Sequence, residues 1–235
     1  EMLLGAAVER GAELRRERGS ASTRAILAAG RRAAASRGAR AFGFKAHFRG
    51  AANDAVELYF FPGGYCGLCP IEGGATNVCG LVREDVLGAL AFEVDALLRT
   101  IPRLARRLAG LERLTRWLTA GPLRYGRAPL TAGSLAAGDA ACFPDPFTGT
   151  GVLAAVQTGR WAGEALLRAR EDGGFARALA WHRRRCASFY RRQLATGMIF
   201  RRLLDLGWAE TLAGVVPGAL LFQLTRPAVR MKVER

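Results

Sequence analysis

One stretch, residues 138–152, combines the residue types that a site for a polarised ligand needs. Small residues lead into Asp139, a turn bounded by two prolines follows, and the pair Gly149-x-Gly151 opens an apolar run that continues to Leu167. Glycines allow the backbone to approach a ligand closely, and the free N–H groups of a first helical turn favour a phosphate or another negatively polarised group. Asp139 lies at the end of the predicted strand, where its carboxylate can accept hydrogen bonds from sugar or ribityl hydroxyls.

This stretch resembles the second flavin-binding motif of the FAD-dependent oxidoreductases in the para-hydroxybenzoate hydroxylase-like group, which includes aromatic hydroxylases, flavin halogenases and geranylgeranyl reductases. The resemblance rests on Gly-Asp-Ala-Ala at 138–141, on Pro-Phe-Thr-Gly-x-Gly at 146–151 and on the helix that follows. It implies that Asp139 binds the ribityl chain of FAD and that the helix directs its N-terminus at the flavin and pyrophosphate. The cofactor-binding residues that it implies are Gly138, Asp139, Pro146, Gly149 and Gly151.

The resemblance also implies an α/β fold in three parts. These are a partial FAD-binding domain of the Rossmann-like, glutathione reductase type at 1–40 and 122–171, an inserted antiparallel-sheet substrate domain with helices at 41–121, and a C-terminal helical tail at 172–235. Members of the group open with a strand–Gly-x-Gly-x-x-Gly–helix unit that binds the ADP half of FAD, and this sequence contains no such unit. We therefore expect the chain to be the C-terminal portion of a longer protein, to bind FAD poorly by itself and to be inactive alone.

The spacing of apolar residues predicts the elements that position this motif. Short aromatic or β-branched runs, separated by turn residues, predict an antiparallel meander over 42–82. Apolar residues at helical spacing predict helices over 83–119, and the run at 23–29 is typical of a buried strand. A glycine-containing linker at 172–174 precedes the helices of the tail.

Residues 57–63 partly resemble the geranylgeranyl reductase motif Tyr-x-Trp-x-Phe-Pro-Lys. Phe61 and Pro62 match it, Tyr59 stands where the motif has Trp, and positions 57 and 63 depart from it. An ordinary amphipathic strand and turn explains the segment equally well. We expect Tyr59, Phe61 and Cys66 to lie where the flavin ring and the substrate meet.

Cysteines and histidines offer other chemistry. Cys66-x-x-Cys69 together with Cys79 invites a zinc or redox interpretation, but a fourth ligand is missing nearby. We expect no metal site. The cysteines are either buried apolar thiols or include a thiol that faces the substrate pocket, and both interpretations remain open. His47 lies on a predicted strand, and His182 lies in a His-Arg-Arg-Arg run on a helix face that we expect to be exposed. The sequence names no catalytic residue, because in such flavoenzymes the cofactor performs the redox chemistry.

The function implied by the resemblance is that of an FAD-dependent oxidoreductase acting on an apolar small molecule, either a lipid or an aromatic compound. It would reduce C=C bonds, as geranylgeranyl reductases do, or hydroxylate its substrate, with NAD(P)H as the electron donor. The alternative is a non-enzymatic, arginine-rich protein that binds a membrane surface or nucleic acid on a decayed flavoprotein fold. A formal net charge of +15 suggests that alternative, but all but two of the 35 cationic residues are arginine, mixed with much alanine and glycine, so an ordinary solvated surface explains the charge better.

The arginines are scattered and accompany no nucleic-acid-binding signature, so we expect no specific nucleic-acid partner. The apolar tail around 203–224 is flanked by arginines, a composition that suits peripheral contact with a membrane. Packing of the same tail against the nucleotide-binding unit that this sequence lacks explains it slightly better. No uncharged run reaches the roughly 18–20 apolar residues that a bilayer requires. We expect a cytoplasmic location, with or without contact to a membrane surface.

Overall fold

The computed structural model describes residues 2–17, 25–30, 40–50, 54–123, 125–127, 133–171, 174–216 and 223. The helices in this part of the chain are α1 (Met2–Glu9), α2 (Glu84–Gly88), α3 (Val94–Arg99), α4 (Pro102–Leu108), α5 (Gly151–Glu171), α6 (Phe175–Asp205) and α7 (Ala209–Ala213). The strands are β1 (Ile26–Leu27), β2 (Ala41–Arg49), β3 (Glu57–Phe61), β4 (Gly64–Ile71), β5 (Ala75–Arg83), β6 (Glu112–Arg113), β7 (Leu118–Leu123), β8 (Gly126–Arg127), β9 (Leu135–Ala136) and β10 (Cys142–Phe143).

The largest sheet is antiparallel and has the order β3-β4-β5-β2-β6, with β7 also paired to β2. The meander predicted for residues 42–82 is therefore confirmed. Pro62 and Gly63 connect β3 to β4, and Gly63 has a φ of 78°, as the third position of a type II turn requires. In the middle of the sheet, a Cβ at Gly80 would lie 2.3 Å from the Phe44 ring, so no other residue fits between β2 and β4.

Helices α2–α4 cover one face of this sheet. Large apolar side chains from strands and helices fill the layer between them, and each is nearly inaccessible to solvent. They include Phe44, Phe48, Leu68, Val78, Val82, Leu87, Leu97, Leu98 and Leu104. Removal of this apolar surface from water stabilises the sheet and holds the helices against it.

The prediction that the helical region extends to residue 119 is wrong from residue 112 onward, where β6 and β7 pair with β2. Leucines at helical spacing suggested a helix, but packing against the sheet overrides that local preference. Trp117 packs against the sheet core, and its indole N–H donates to Asp95 at 2.9 Å. Arg113 also pairs with Asp95, so the segment is fixed to α3 as well as to the sheet.

A second layer contains the motif. The short strand β1 pairs in parallel with β9, which confirms a strand within the predicted 23–29 run. Its predicted burial is wrong, because Ile26 is exposed and Leu27 is only half-buried. Residues 23 and 24 lie outside the described residues. The long helices α5 and α6 pack together around Trp161, Phe189 and Tyr190. Helix α5 ends before the predicted linker and α6 begins after it, while residues 172 and 173 of that linker also lie outside the described part.

Helix α6 also joins the two layers, because its C-terminal half packs against the sheet. Phe200 and Leu204 contact Tyr65, Leu81 and Leu123 on the face opposite to α2–α4. Among the described helices, none is both long enough and apolar enough to cross a bilayer. The apolar residues predicted for the tail beyond 216 lie outside the described residues, apart from position 223.

Candidate cofactor site

The site begins where the buried strand β9 ends in a 3-10 turn, Gly138–Ala140. Gly138 has a φ of 58°, and a Cβ there would lie 3.3 Å from the Cβ of Ala155. Its N–H donates to Thr158 Oγ1 at 2.8 Å, and its carbonyl accepts a hydrogen bond from the Tyr190 hydroxyl at 3.3 Å. The turn is therefore held by α5 and α6 together.

A second 3-10 turn, Pro146–Thr148, follows the short strand β10. Asp145 caps it by accepting a hydrogen bond from the Phe147 N–H at 3.0 Å, and the Thr148 hydroxyl donates to the Asp145 carbonyl at 2.8 Å. Gly149 ends the turn with a φ of 62°, and a Cβ there would meet no atom within 4 Å. The left-handed backbone conformation thus requires glycine at position 149, whereas the space beside it is open.

Helix α5 begins at Gly151, directly after this turn. The N–H groups of a first helical turn have no partner within the helix, and the helix dipole makes this end attractive to negative charge. Val152 in this turn is 83% exposed, so this side of the helix end is open to solvent in the described structure.

These elements surround one cavity of about 560 Å³. All five predicted cofactor residues line it, and most of the rest of its wall is backbone or small side chains. The lining residues are Ala28, Gly30, Ala137, Gly138, Asp139, Phe143, Pro144, Asp145, Pro146, Thr148, Gly149, Gly151, Val152 and Ala155. A wall with so few large side chains leaves N–H groups, carbonyls and the carboxylates of Asp139 and Asp145 as its main polar features.

Asp145 is a site residue that the sequence analysis missed. It is buried, and its Oδ1 also accepts from the Tyr65 hydroxyl at 3.4 Å. Its Oδ2 makes no hydrogen bond and lies 3.7 Å from Arg201 Nε. Burial raises the pKa of the Asp145 carboxyl, and the Phe147 N–H and Arg201 oppose that shift. An aspartate directly before a proline is a signal for a capped helical turn, and it could have been used here.

Close packing places helix α6 against Asp145. A Cβ at Gly197 would lie 2.9 Å from the Asp145 Cβ, so only glycine lets the helix approach this near. Three elements therefore meet at the Asp145 carboxylate: β4 through Tyr65, α6 through Arg201, and the 3-10 turn Pro146–Thr148. Arg201 is also held over the Tyr125 ring, with its Cζ 4.0 Å from the ring centroid.

The residues predicted for the substrate pocket lie elsewhere. Phe61 and Cys66 are buried in the core under α2–α4, and Tyr59 packs against the same core. None of the three lines the cavity at the N-terminus of α5. Because side chains alternate along a strand, their neighbours Phe60 and Tyr65 occupy the other face, where both rings contact Phe147.

The cysteines of the sheet also divide between its faces. Burial raises the pKa of the Cys66 thiol, as expected for an apolar buried cysteine. Cys69 and Cys79 lie on the opposite face, and the Asn77 amide approaches their sulfur atoms at 3.8 and 3.4 Å. Within the described residues, no three Cys, His, Asp or Glu side chains are placed to hold a metal ion.

The prediction that His182 is exposed is wrong. It is 2% exposed, and its Nε2 lies 3.4 Å from Cys186 Sγ on the next turn of α6. Burial lowers the pKa of His182 below its ordinary value, which a hydrogen bond to the Thr158 carbonyl partly opposes. The adjacent arginines suggested a surface helix, but the helical period turns His182 inward while Arg183 and Arg184 face solvent.

Neither a family model nor a curated protein matches this chain. Solved structures do. The flavin-dependent brominase Bmp2 superposes with a TM-score of 0.60 at 18% identity, over 79% of this chain and 50% of that one. PqsL, described as a probable FAD-dependent monooxygenase from Pseudomonas aeruginosa, superposes with a TM-score of 0.61 at 19% identity, over 81% and 58%.

A geranylgeranyl bacteriochlorophyll reductase-like protein from Thermoplasma acidophilum superposes with a TM-score of 0.59 at 18% identity, over 79% of this chain and 48% of that one. This chain has the fold of the flavin-dependent monooxygenases, halogenases and reductase-like proteins. The predicted resemblance is thus confirmed at the level of the fold. The chain spans about half the length of the structures that it matches.

Proposed function

We propose that the chain forms the ribityl and flavin side of an FAD site in an oxidoreductase that acts on an apolar small molecule. The observation that carries this proposal is the convergence of Gly138, Asp139, Pro146, Gly149 and Gly151 on one cavity at the N-terminus of α5. Separate turns supply these residues, and a tight strand-to-helix connection without a ligand would not need all of them around open space.

The residues present fit such a group. The cavity is of the size found for small-molecule sites, about 300–1,000 Å³, and its wall near Gly149 and Gly151 offers backbone with no side chain in the way. Asp139 would accept hydrogen bonds from ribityl hydroxyls, and the first turn of α5 would face the flavin or a phosphate. FAD, when bound, supplies the redox chemistry, with NAD(P)H as the proposed electron donor.

The chain's own residues then have three tasks. Thr158 and Tyr190 hold the Gly138 turn, and Asp145 holds the Pro146–Thr148 turn, so that both backbones keep their shape around the cofactor. The apolar side chains at Phe143, Pro144 and Val152 border the cavity and would exclude water from the reacting atoms.

For the reaction, we favour reduction of a C=C bond over hydroxylation. The partial matches at Phe61-Pro62 and at 146–149 to the geranylgeranyl reductase motifs support this choice. The solved structures of similar fold include reductase-like, monooxygenase and halogenase proteins, and they do not favour a non-enzymatic protein. Turnover of a prenyl lipid without O₂, by a protein that joins this chain to a dinucleotide-binding unit, would support reduction. A strict requirement for O₂ with a hydroxylated product would support hydroxylation instead.

The flavin site itself can be tested on residues 1–235. Titration with FMN and with FAD, followed by quenching of flavin fluorescence, should give similar and weak affinities, because the contacts proposed here do not include adenine. Asp139→Ala should weaken FMN binding by about 1–3 kcal/mol, as expected for loss of a charge-assisted hydrogen bond. Asp54→Ala, at an exposed carboxylate outside the cavity, is the matched control. Micromolar or tighter binding of FAD with much weaker binding of FMN would contradict the proposal.

A further inference from the structure

The C-terminal end of α6 exposes an unusual group of large apolar side chains. Met198, Ile199, Leu206 and Trp208 are each 60–63% exposed, although they lie within eleven residues of one another. Exposed apolar residues that occur singly need no explanation, but a contiguous group indicates an interaction surface.

Met198, Ile199 and Leu206 share one side of the helix with arginines, and Trp208 follows shortly after the helix ends. Residues four, seven and eleven apart fall on the same helical face, and Arg191, Arg202 and Leu206 follow one another at these spacings from Arg184 along the axis. The opposite side is buried against α5 and the sheet through Phe189, Tyr190, Phe200 and Leu204. We name the exposed side the basic-apolar face; it consists of Arg184, Arg191, Arg192, Met198, Ile199, Arg202, Leu206 and Trp208.

Among the described residues, the acidic groups that lie closest in sequence, Asp205 and Glu210, do not neutralise this face. Asp205 at the end of α6 pairs with Arg83 of the sheet at 2.8 Å. Glu210 of α7 pairs with Arg103 of α4. Both carboxylates are thus engaged with the sheet layer, and the four arginines of the face keep their positive charge towards solvent.

We propose that the basic-apolar face binds the surface of an anionic lipid bilayer, with α6 lying along the plane of the headgroups. Apolar side chains beside arginines are the composition of helices that bind in this way, since the former enter the acyl boundary while the latter reach phosphates. Trp208 suits the interfacial zone, where an amphipathic ring is favoured. This inference does not depend on the proposed flavin chemistry.

Two other occupants fit the face less well. A second copy of this chain, related by a two-fold axis, would bring four arginines against four arginines, and like charges at close range oppose association. A nucleic-acid backbone would satisfy the arginines but would leave Met198, Ile199 and Leu206 without apolar contact.

Co-sedimentation with vesicles tests the proposal. Residues 1–235 should bind phosphatidylcholine vesicles that contain phosphatidylglycerol, should bind pure phosphatidylcholine far less, and should dissociate as salt increases. Arg191→Gln with Arg192→Gln should lower the affinity roughly tenfold or more. Met198→Ser with Ile199→Ser should lower binding to the anionic vesicles, and the residual binding should become more sensitive to salt.

Matched controls are available on other helices. Leu167→Ser on α5 removes an apolar side chain of similar exposure, and Arg99→Gln on α3 removes an exposed arginine. Both should bind vesicles as the unmodified chain does. All these positions are exposed, so unchanged far-UV circular dichroism is expected throughout.

Three outcomes would overturn the proposal. The first is the absence of vesicle binding by the unmodified chain, and the second is equal loss in face and control variants. The third is a different occupant. A concentration-dependent dimer that Met198→Ser with Ile199→Ser abolishes, without lipid binding, would assign the face to a second copy. Salt-dependent DNA binding that responds to the arginine variants alone would assign it to nucleic acid.

Discussion

The two layers of this molecule fill their interiors in different ways. Under α2–α4, large apolar side chains such as Leu68, Val78, Leu97 and Leu104 are at most 1% exposed and complete a core. Around the motif, the buried positions are mainly occupied by glycine, alanine and threonine, and a cavity of about 560 Å³ remains open. One layer is packed for stability, whereas the other keeps space and backbone available to a ligand.

Buried polar atoms without a hydrogen-bond partner occur in both layers of the described structure, at Thr76 and Asn77 of the sheet and at more residues around the motif. Asp145, Gln157, Trp161 and Gln193 of the motif layer each carry a buried polar atom without a hydrogen-bond partner among the described residues. Such atoms cost free energy, and proteins retain few of them without a reason. Asp145 borders the cavity and caps the Pro146–Thr148 turn. The free-energy cost of its unpaired oxygen therefore falls on a residue that fixes the wall of the cavity.

The largest effect should come from the packed layer. Leu104→Ala removes a fully buried side chain from the core under α2–α4 and should lower the free energy of unfolding by about 2–5 kcal/mol. Urea denaturation measures this loss. FMN affinity at a temperature where the variant is folded should not change, because the residue lies away from the cavity.

Leu118→Ala is the control for that experiment. Leu118 lies on β7 and is 54% exposed, so its loss should change stability by no more than about 0.5 kcal/mol. If Leu104→Ala weakened FMN binding as much as it lowers stability, the two layers could not be treated as separate in function.

The second prediction concerns the turn at Gly138. Thr158→Val keeps the shape of the side chain but removes the hydroxyl that accepts the Gly138 N–H at 2.8 Å. A buried N–H without a partner costs about 1–3 kcal/mol, and both the stability and the FMN affinity should fall. Thr158→Ser, which restores the hydroxyl, should recover most of the FMN affinity. If the affinity stays low, the hydrogen bond between Thr158 and the Gly138 turn does not support FMN binding.

Local patterns in the sequence predicted much of this arrangement. Alternating apolar residues and Pro-Gly turns are short-range signals, and they indicated the meander as it is found. The glycines and Asp139 of the motif lie close together in the sequence, and they were predicted to meet at one place. What the sequence did not predict depends on contacts between distant residues. β7 forms because β2 offers an edge, Asp145 becomes buried because Tyr65 and Gly197 surround it, and His182 turns inward with α6.

The third prediction tests whether position 149 needs glycine for its left-handed backbone conformation or for the space that a missing side chain leaves. Gly149→Ala places a Cβ where no atom lies within 4 Å, so it creates no clash, but it imposes a left-handed conformation on a residue with a Cβ. That should cost about 1–2 kcal/mol of stability. Gly149→Asn should cost less, because asparagine tolerates this conformation better. Equal losses in the two variants would mean that the turn changes conformation rather than bearing strain.

The smallest effect should be the pH dependence contributed by His182. Burial lowers its pKa in the folded state, so the unfolded chain binds more protons than the folded one in the range just below the ordinary value of 6.5. Stability from this group is therefore fully present above about pH 7 and decreases as the pH falls through 6.5 towards the folded-state pKa, by at most about 1.4 kcal/mol per pH unit. Burial of the Asp145 carboxyl acts in the opposite sense, since its raised pKa makes stability fall as the pH rises.

His182→Gln keeps a donor for the Thr158 carbonyl and removes only the contribution of His182 to the pH dependence. Urea denaturation at several pH values should then show a shallower loss of stability towards acid in the variant, with a constant difference from the unmodified chain above about pH 8. Parallel curves at every pH would show that burial of His182 carries no proton linkage, and that the motif layer owes its acid sensitivity to other groups.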